Sequence, residues 1–195
     1  IDRMISNLTK FLGGFPLDRT HVSVFNGHGS EVVIKAPTAN GVKQAFRGIA
    51  AGGITVHAAG VNVLAKYKPL DGEDALMIFA GDEGESNEAR LATAIETSGI
   101  NPVALAILPA HTQAGGWGGQ GTIVKDAAAR LNIPCLVIDD ALFDDPYSVT
   151  EALVNLIAST PVGQAAQGQT KRRKSLVQQI LETDLLEPPI WAKAA

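Results

Sequence analysis

The chain has 195 residues, 46% of them hydrophobic, and a formal net charge of −4. That is enough to bury one substantial core, with one domain as the default, and the charge gives no global pull toward nucleic acid or an anionic membrane. No apolar run approaches the roughly 20 residues of a bilayer span, no signal-peptide pattern opens the chain, and Cys135 has no second cysteine to pair with, so a soluble protein of a reducing, cytoplasmic compartment without membrane contact is expected.

Ile1, Met4, Ile5, Leu8, Phe11 and Leu12 recur at helical spacing and predict an amphipathic helix that ends near "GGFP". "HVSVFN" and "EVVIK" are β-branched runs joined through Gly27, His28, Gly29 and Ser30, which predicts an antiparallel hairpin. Residues 39 to 50 and 55 to 67 predict two helices divided by "AGGI". A regular alternation follows: strand "ALMIFA", helix "SNEARLATAIETSG", strand "VALAIL", helix "TIVKDAAARLN", strand "CLVID", helix "YSVTEALVNLIAS". Apolar runs without alternation suit strands buried on both faces. The expected fold class is therefore α/β: a doubly wound, mostly parallel sheet with one antiparallel hairpin strand. Ser86, with Glu85 and Glu88, puts a hydroxyl and negative charge at a helix start, and Gly99 stands where that helix would end.

After Pro161 the texture becomes polar and then basic ("VGQAAQGQTKRRK"). The expected organisation is one domain over 1–161, a polar and basic linker over 162–174, and a C-terminal helix and tail over 175–195, with Leu176, Ile180, Leu181 and Leu185 on one helical face. "KRRK" could meet phosphates, although such a run is more often a solvated segment.

Ligands of an open parallel sheet bind beyond the carboxyl ends of its strands. There the chain carries "GDEGES", "PAHTQAGGWGGQG" and "DDALFDDPY". Asp82, Glu83 and Glu85 are hard oxygen donors suited to Mg²⁺, Mn²⁺ or Ca²⁺; their bland alternative is an acidic turn feeding a helix N-terminus. "AGGWGGQG" before a helix start could cradle phosphate, but it lacks a Lys-Ser/Thr ending and GxGxxG spacing. It is better taken as a loop at the site rim, with Trp117 placed for contact. His57 is expected to pack within a helix, and His111, at a strand end, to support the site. Neither belongs to a metal-ligand spacing or a nucleophilic triad.

The run from the opening helix through the hairpin ending in "VFNG", the "AGGIT" loop and the strand closed by Asp82 resembles the von Willebrand factor A-type domain, along nearly the whole chain up to about Pro161. In that family a DxSxS loop, a threonine and an aspartate from three loops hold a divalent cation. The resemblance assigns Thr55 and Asp82 as metal ligands, with Gly53, Glu83, Glu85, His111 and Trp117 as supporting or rim positions. This chain reads Gly52, Gly53, Ile54, Thr55 where the family usually shows Gly-Gly-Thr, and it contains no DxSxS. On the family pattern that segment falls on a central strand before Ile1, so an upstream fragment or a partner is expected to complete the sheet and the cation site. "GDEGE" and "DDALFDDPYSVTEALVNLIASTPVG" are similar to the corresponding domain of bacterial Ro-type proteins, in which a helical TROVE module holds the RNA.

The resemblance implies a non-enzymatic, cation-dependent binding domain that engages an acidic group on a protein partner, with RNA involved only indirectly, as the accessory domain of a ribonucleoprotein component. Two rivals stand beside it. One is a metal-assisted hydrolase or phosphotransferase using Asp82 or Glu83; the other is a metal-free scaffold whose acidic turn only caps a helix.

Overall fold

The computed structural model describes residues 12, 16–36, 38–50, 52–71, 73–81, 87–109, 122–138 and 148–160. A short 3₁₀ turn, Leu17–Arg19, leads to strands β1 (Val22–Phe25) and β2 (Gly29–Val32), then helices α1 (Ala39–Ala45) and α2 (His57–Leu64). Strands β3 (Leu76–Gly81), β4 (Ala104–Pro109) and β5 (Cys135–Val137) alternate with α3 (Glu88–Ser98), α4 (Thr122–Leu131) and α5 (Ser148–Ser159). The expected α/β architecture is present.

β3, β4 and β5 form a parallel sheet with β4 in the middle, in register Leu76↔Ala104 and Leu105↔Cys135. Ala104 through Leu108 are all buried, as an apolar run without alternation requires of a strand covered on both faces. Met77, Phe79, Leu105 and Ile107 pack beneath α2, α3 and α4 through Val61, Leu91, Ile95 and Val124. Ala104, Ala106, Leu108 and Ile138 turn the other way, onto Leu153 and Leu156 of α5. Helices on both faces make the sheet doubly wound.

The hairpin is a separate antiparallel pair, Val22↔Val32 through Phe25↔Gly29, and among the described residues no backbone ladder joins it to the parallel sheet. It is carried by α2. Ser23 Oγ donates to the Gly60 carbonyl at 3.1 Å. A Cβ at Gly29 would lie 2.2 Å from the Ala59 carbonyl oxygen, so only glycine lets β2 approach the helix this closely. The opposite face of the hairpin packs Val32 with Val42 and Phe46 around Leu12. The rest of the expected opening helix lies outside the described residues, as do the expected linker 162–174 and tail 175–195.

Three local expectations shift. β2 begins at Gly29 rather than Glu31, because the turn closes over Asn26, Gly27 and His28 alone. The helices expected over 39–50 and 55–67 are shorter, Ala39–Ala45 and His57–Leu64. The first is capped by Thr38, whose hydroxyl accepts from Gly41 N at 3.1 Å. For α3 the N-cap is Asn87, whose Oδ1 accepts from Arg90 N at 3.0 Å, in place of Ser86. Gly99 ends that helix as expected, at φ +71°. Among the described residues no helix is long and apolar enough to cross a membrane.

Candidate functional site

The carboxyl ends of β1 and β3 and the first turns of α2 and α3 gather at one edge. His57, fully buried, marks the junction: its ring stands 5.2 Å from that of Phe25, the last residue of β1, and 5.7 Å from that of Phe79 near the end of β3. The packing role expected of His57 is the one it has. Beside it, a groove of about 470 Å³ runs between α2 and α3, with Asn62, Asn87 and Arg90 in its lining.

Thr55 sits at this edge, two residues before α2, and is half-buried. The loop that presents it is fixed from the hairpin. Val56 N donates to the Asn26 carbonyl at 3.1 Å, and Asn26 Nδ2 reaches the Gly52 carbonyl at 3.5 Å. Gly53 takes φ +87°, a left-handed conformation that glycine adopts without steric cost, and its Cα faces the Asn26 side chain. Asn26 also closes its own turn, since His28 N donates to its Oδ1 at 2.9 Å, an arrangement typical of asparagine in turns.

Of the residues singled out in the sequence, Thr55 and Gly53 are described. Asp82 follows Gly81 directly at the end of β3, but Asp82, Glu83, Glu85, His111 and Trp117 lie outside the described residues. Thr55 offers one neutral hydroxyl oxygen, a donor type suited to a hard cation. Among the described residues no group of three or more His, Cys, Asp or Glu side chains could hold a metal ion. Of the two ligands that the resemblance assigns, Thr55 is the one among the described residues.

The acidic stretch also serves a structural end. Glu88, in the first turn of α3, bonds its own backbone N–H and accepts from Arg130 of α4 at 2.9 Å; these contacts hold its carboxyl below the usual range. Glu88 and Asn87 thus realise the helix-capping role for the last part of that stretch. At the far end of the hairpin, Glu31 accepts from Lys66 and Tyr67, which lower its pKa, and His21 stacks on Tyr67 with ring centroids 3.7 Å apart.

Asn26 and Asn87 escaped the sequence reading as site residues. The signal for Asn26 was the Asn-Gly dipeptide, a turn marker, and for Asn87 its place one residue before a helical run.

No protein-family model matches the chain, and no curated protein matches it. Solved structures do. An aerotolerance-related membrane protein from Bacteroides fragilis, crystallised with multiple mutations to serines, superposes with a TM-score of 0.52 at 16% identity, over 81% of this chain and 86% of that one. The conserved hypothetical protein BatB from Bacteroides thetaiotaomicron gives 0.52 at 12% identity, over 80% and 89%. At such identities the likeness speaks for the fold alone, and that fold is von Willebrand factor A-like.

Proposed function

We propose that this is a binding domain that engages an acidic group on a protein partner through a divalent cation held by Thr55 and Asp82 together with further ligands. The observation that carries it is the placement of Thr55 on a braced loop at the same edge as the end of β3, the strand that Asp82 follows. Mg²⁺, or Mn²⁺ or Ca²⁺, is the cation proposed. A cation bound largely by neutral hydroxyls keeps net positive charge and an open position, which a partner carboxylate can fill. We assign Gly53 to shaping the loop and Glu83, Glu85, His111 and Trp117 to its rim. The remaining ligands would come from a strand outside this sequence, in an upstream segment or a partner, lying between β1 and β3. Neither strand has a ladder partner on that side among the described residues.

No turnover is proposed, so a panel of phosphate esters incubated with the protein and Mg²⁺ should give a blank. A finer proposal, the accessory domain of a Ro-like ribonucleoprotein component that meets RNA only indirectly, rests on the "GDEGE" and "DDALFDDPY" segments. A cytoplasmic location rests on the lone Cys135. The Bacteroides fragilis neighbour is a membrane protein, and we propose no such attachment here. A metal-free scaffold, in which the acidic stretch only caps a helix, is the second reading, supported by Glu88 and Asn87 at the start of α3.

The test is fluorescence anisotropy of a labelled peptide bearing a single glutamate, in Mn²⁺ and then in EDTA. Binding that EDTA abolishes and Asp82→Asn weakens at least tenfold supports the cation reading. Binding indifferent to both supports the scaffold.

A further inference from the structure

We infer that Asn26 is a positioning residue for Thr55: one side chain ties the hairpin turn to the loop that presents the hydroxyl. The inference rests on the cation reading for its functional consequence, but its geometry stands on its own. Asn26 is exposed, so its side chain is not fixed by packing in the core. Its polar groups are nevertheless committed to two different elements. Oδ1 accepts from His28 N at 2.9 Å within the hairpin turn, while Nδ2 points across to the Gly52 carbonyl at 3.5 Å. Its backbone also serves both: Asn26 N donates to the His28 carbonyl at 2.9 Å, and its own carbonyl accepts from Val56 N at 3.1 Å. Gly52 and Val56 bracket Gly53, Ile54 and Thr55, so Asn26 contacts the loop at both of its ends.

Between those ends, Gly53 lies against the same side chain. A Cβ built there would be 3.6 Å from Asn26 Nδ2, which is ordinary contact. Ile54 leans over the turn at Gly27, where a Cβ would come within 3.4 Å of Ile54 Cγ1. Freed from the Nδ2 contact, the segment would still be pinned at Val56 but could swing about Gly53, whose backbone freedom is the largest in the loop. Such a swing would shift the segment that presents the Thr55 hydroxyl, and a site that needs a fixed donor would lose affinity.

Asn26→Asp and Asn26→Ala separate this role from mere turn formation. Aspartate keeps an oxygen for His28 N but offers no donor to Gly52, whereas alanine loses both contacts. By amide hydrogen exchange, the segment 52–56 should exchange about fivefold to tenfold faster in both variants, the scale of one lost hydrogen bond. His28 should lose protection only in the alanine variant, and β3 to β5 in neither. An aspartate variant that exchanges like the wild type over 52–56 overturns the inference, because a residue that only shapes its turn is rescued by aspartate. A second arm measures Mn²⁺ alone by water-proton relaxation in the wild type and Asn26→Ala. Weaker binding in the variant supports the positioning role, and equal binding overturns it while leaving the cation reading intact. If the wild type, supplied with the strand that carries the remaining ligands, binds no Mn²⁺, the cation reading fails and the exchange data alone decide whether Asn26 holds the loop.

Discussion

The parallel sheet and the hairpin are built on different terms. β4 buries five consecutive residues between helices on both faces, whereas all four residues of β1 are only half-buried. The sheet is held by apolar burial, a broad and nondirectional term. The hairpin is held by fit and by pairing: Gly29 against the Ala59 carbonyl, Ser23 on the Gly60 carbonyl, Asn26 on the 52–56 loop, Glu31 with Lys66 and Tyr67. The consequence is a firm platform with a separately attached flank, and Thr55 stands on the seam between them. Low local stability at a seam is where binding loops are usually found.

Breaking the platform should have the largest effect. Ile107→Ala, at a fully buried position of β4, is expected to cost about 2–5 kcal/mol by urea unfolding. Val24→Ala in the half-buried hairpin should cost about 1 kcal/mol. Equal losses would show that the two regions are one cooperative core. Next comes Gly29→Ala, whose added Cβ would collide with backbone at Ala59. A cost of about 1–3 kcal/mol is expected, with the amides of β1 and β2 losing protection before those of β3 to β5. Gly99→Ala, at φ +71°, should cost about 1–2 kcal/mol and leave the hairpin untouched.

The smallest effect concerns pH. Contacts with Lys66 and Tyr67 lower the Glu31 pKa below its ordinary value near 4.5. A lowered carboxylate contributes stability that is present above that ordinary value and lost as pH falls through the folded-state value. Glu31→Gln should therefore unfold at a slightly lower urea concentration than the wild type at pH 7, and the two midpoints should converge as pH falls through the lowered folded-state value. A difference that persists once the carboxyl is protonated in both states would mean the effect is packing rather than charge.

The same contrast explains what the sequence disclosed. "ALMIFA", "VALAIL" and "CLVID" announced the parallel sheet because burial on both faces leaves no room for polar residues. Gly99 announced a helix end because few other residues turn left-handed there. The start of β2 was hidden, since Gly29 reads as turn and is strand only because it pairs with Phe25 across a three-residue turn. Asn87 displaced Ser86 as the cap of α3 because neighbouring residues of similar capping strength cannot be ranked from composition alone. For the candidate site, residue types pointed to a hard cation, and Thr55 stands two residues before α2. Asp82, Glu83 and Glu85 fall outside the described residues, so the ligand set stays what the resemblance implies.

The proposed cation role of Thr55 can be tested by Mn²⁺ titration followed by water-proton relaxation on protein supplied with the strand that carries the remaining ligands, comparing the wild type with Thr55→Val, which removes the hydroxyl at nearly constant volume. The account predicts saturable binding in the wild type, with a Kd of about a millimolar as for weak oxygen sites, and loss of that binding in the variant. Wild-type protein that binds no Mn²⁺, or a Thr55→Val variant that binds it equally well, would contradict the account.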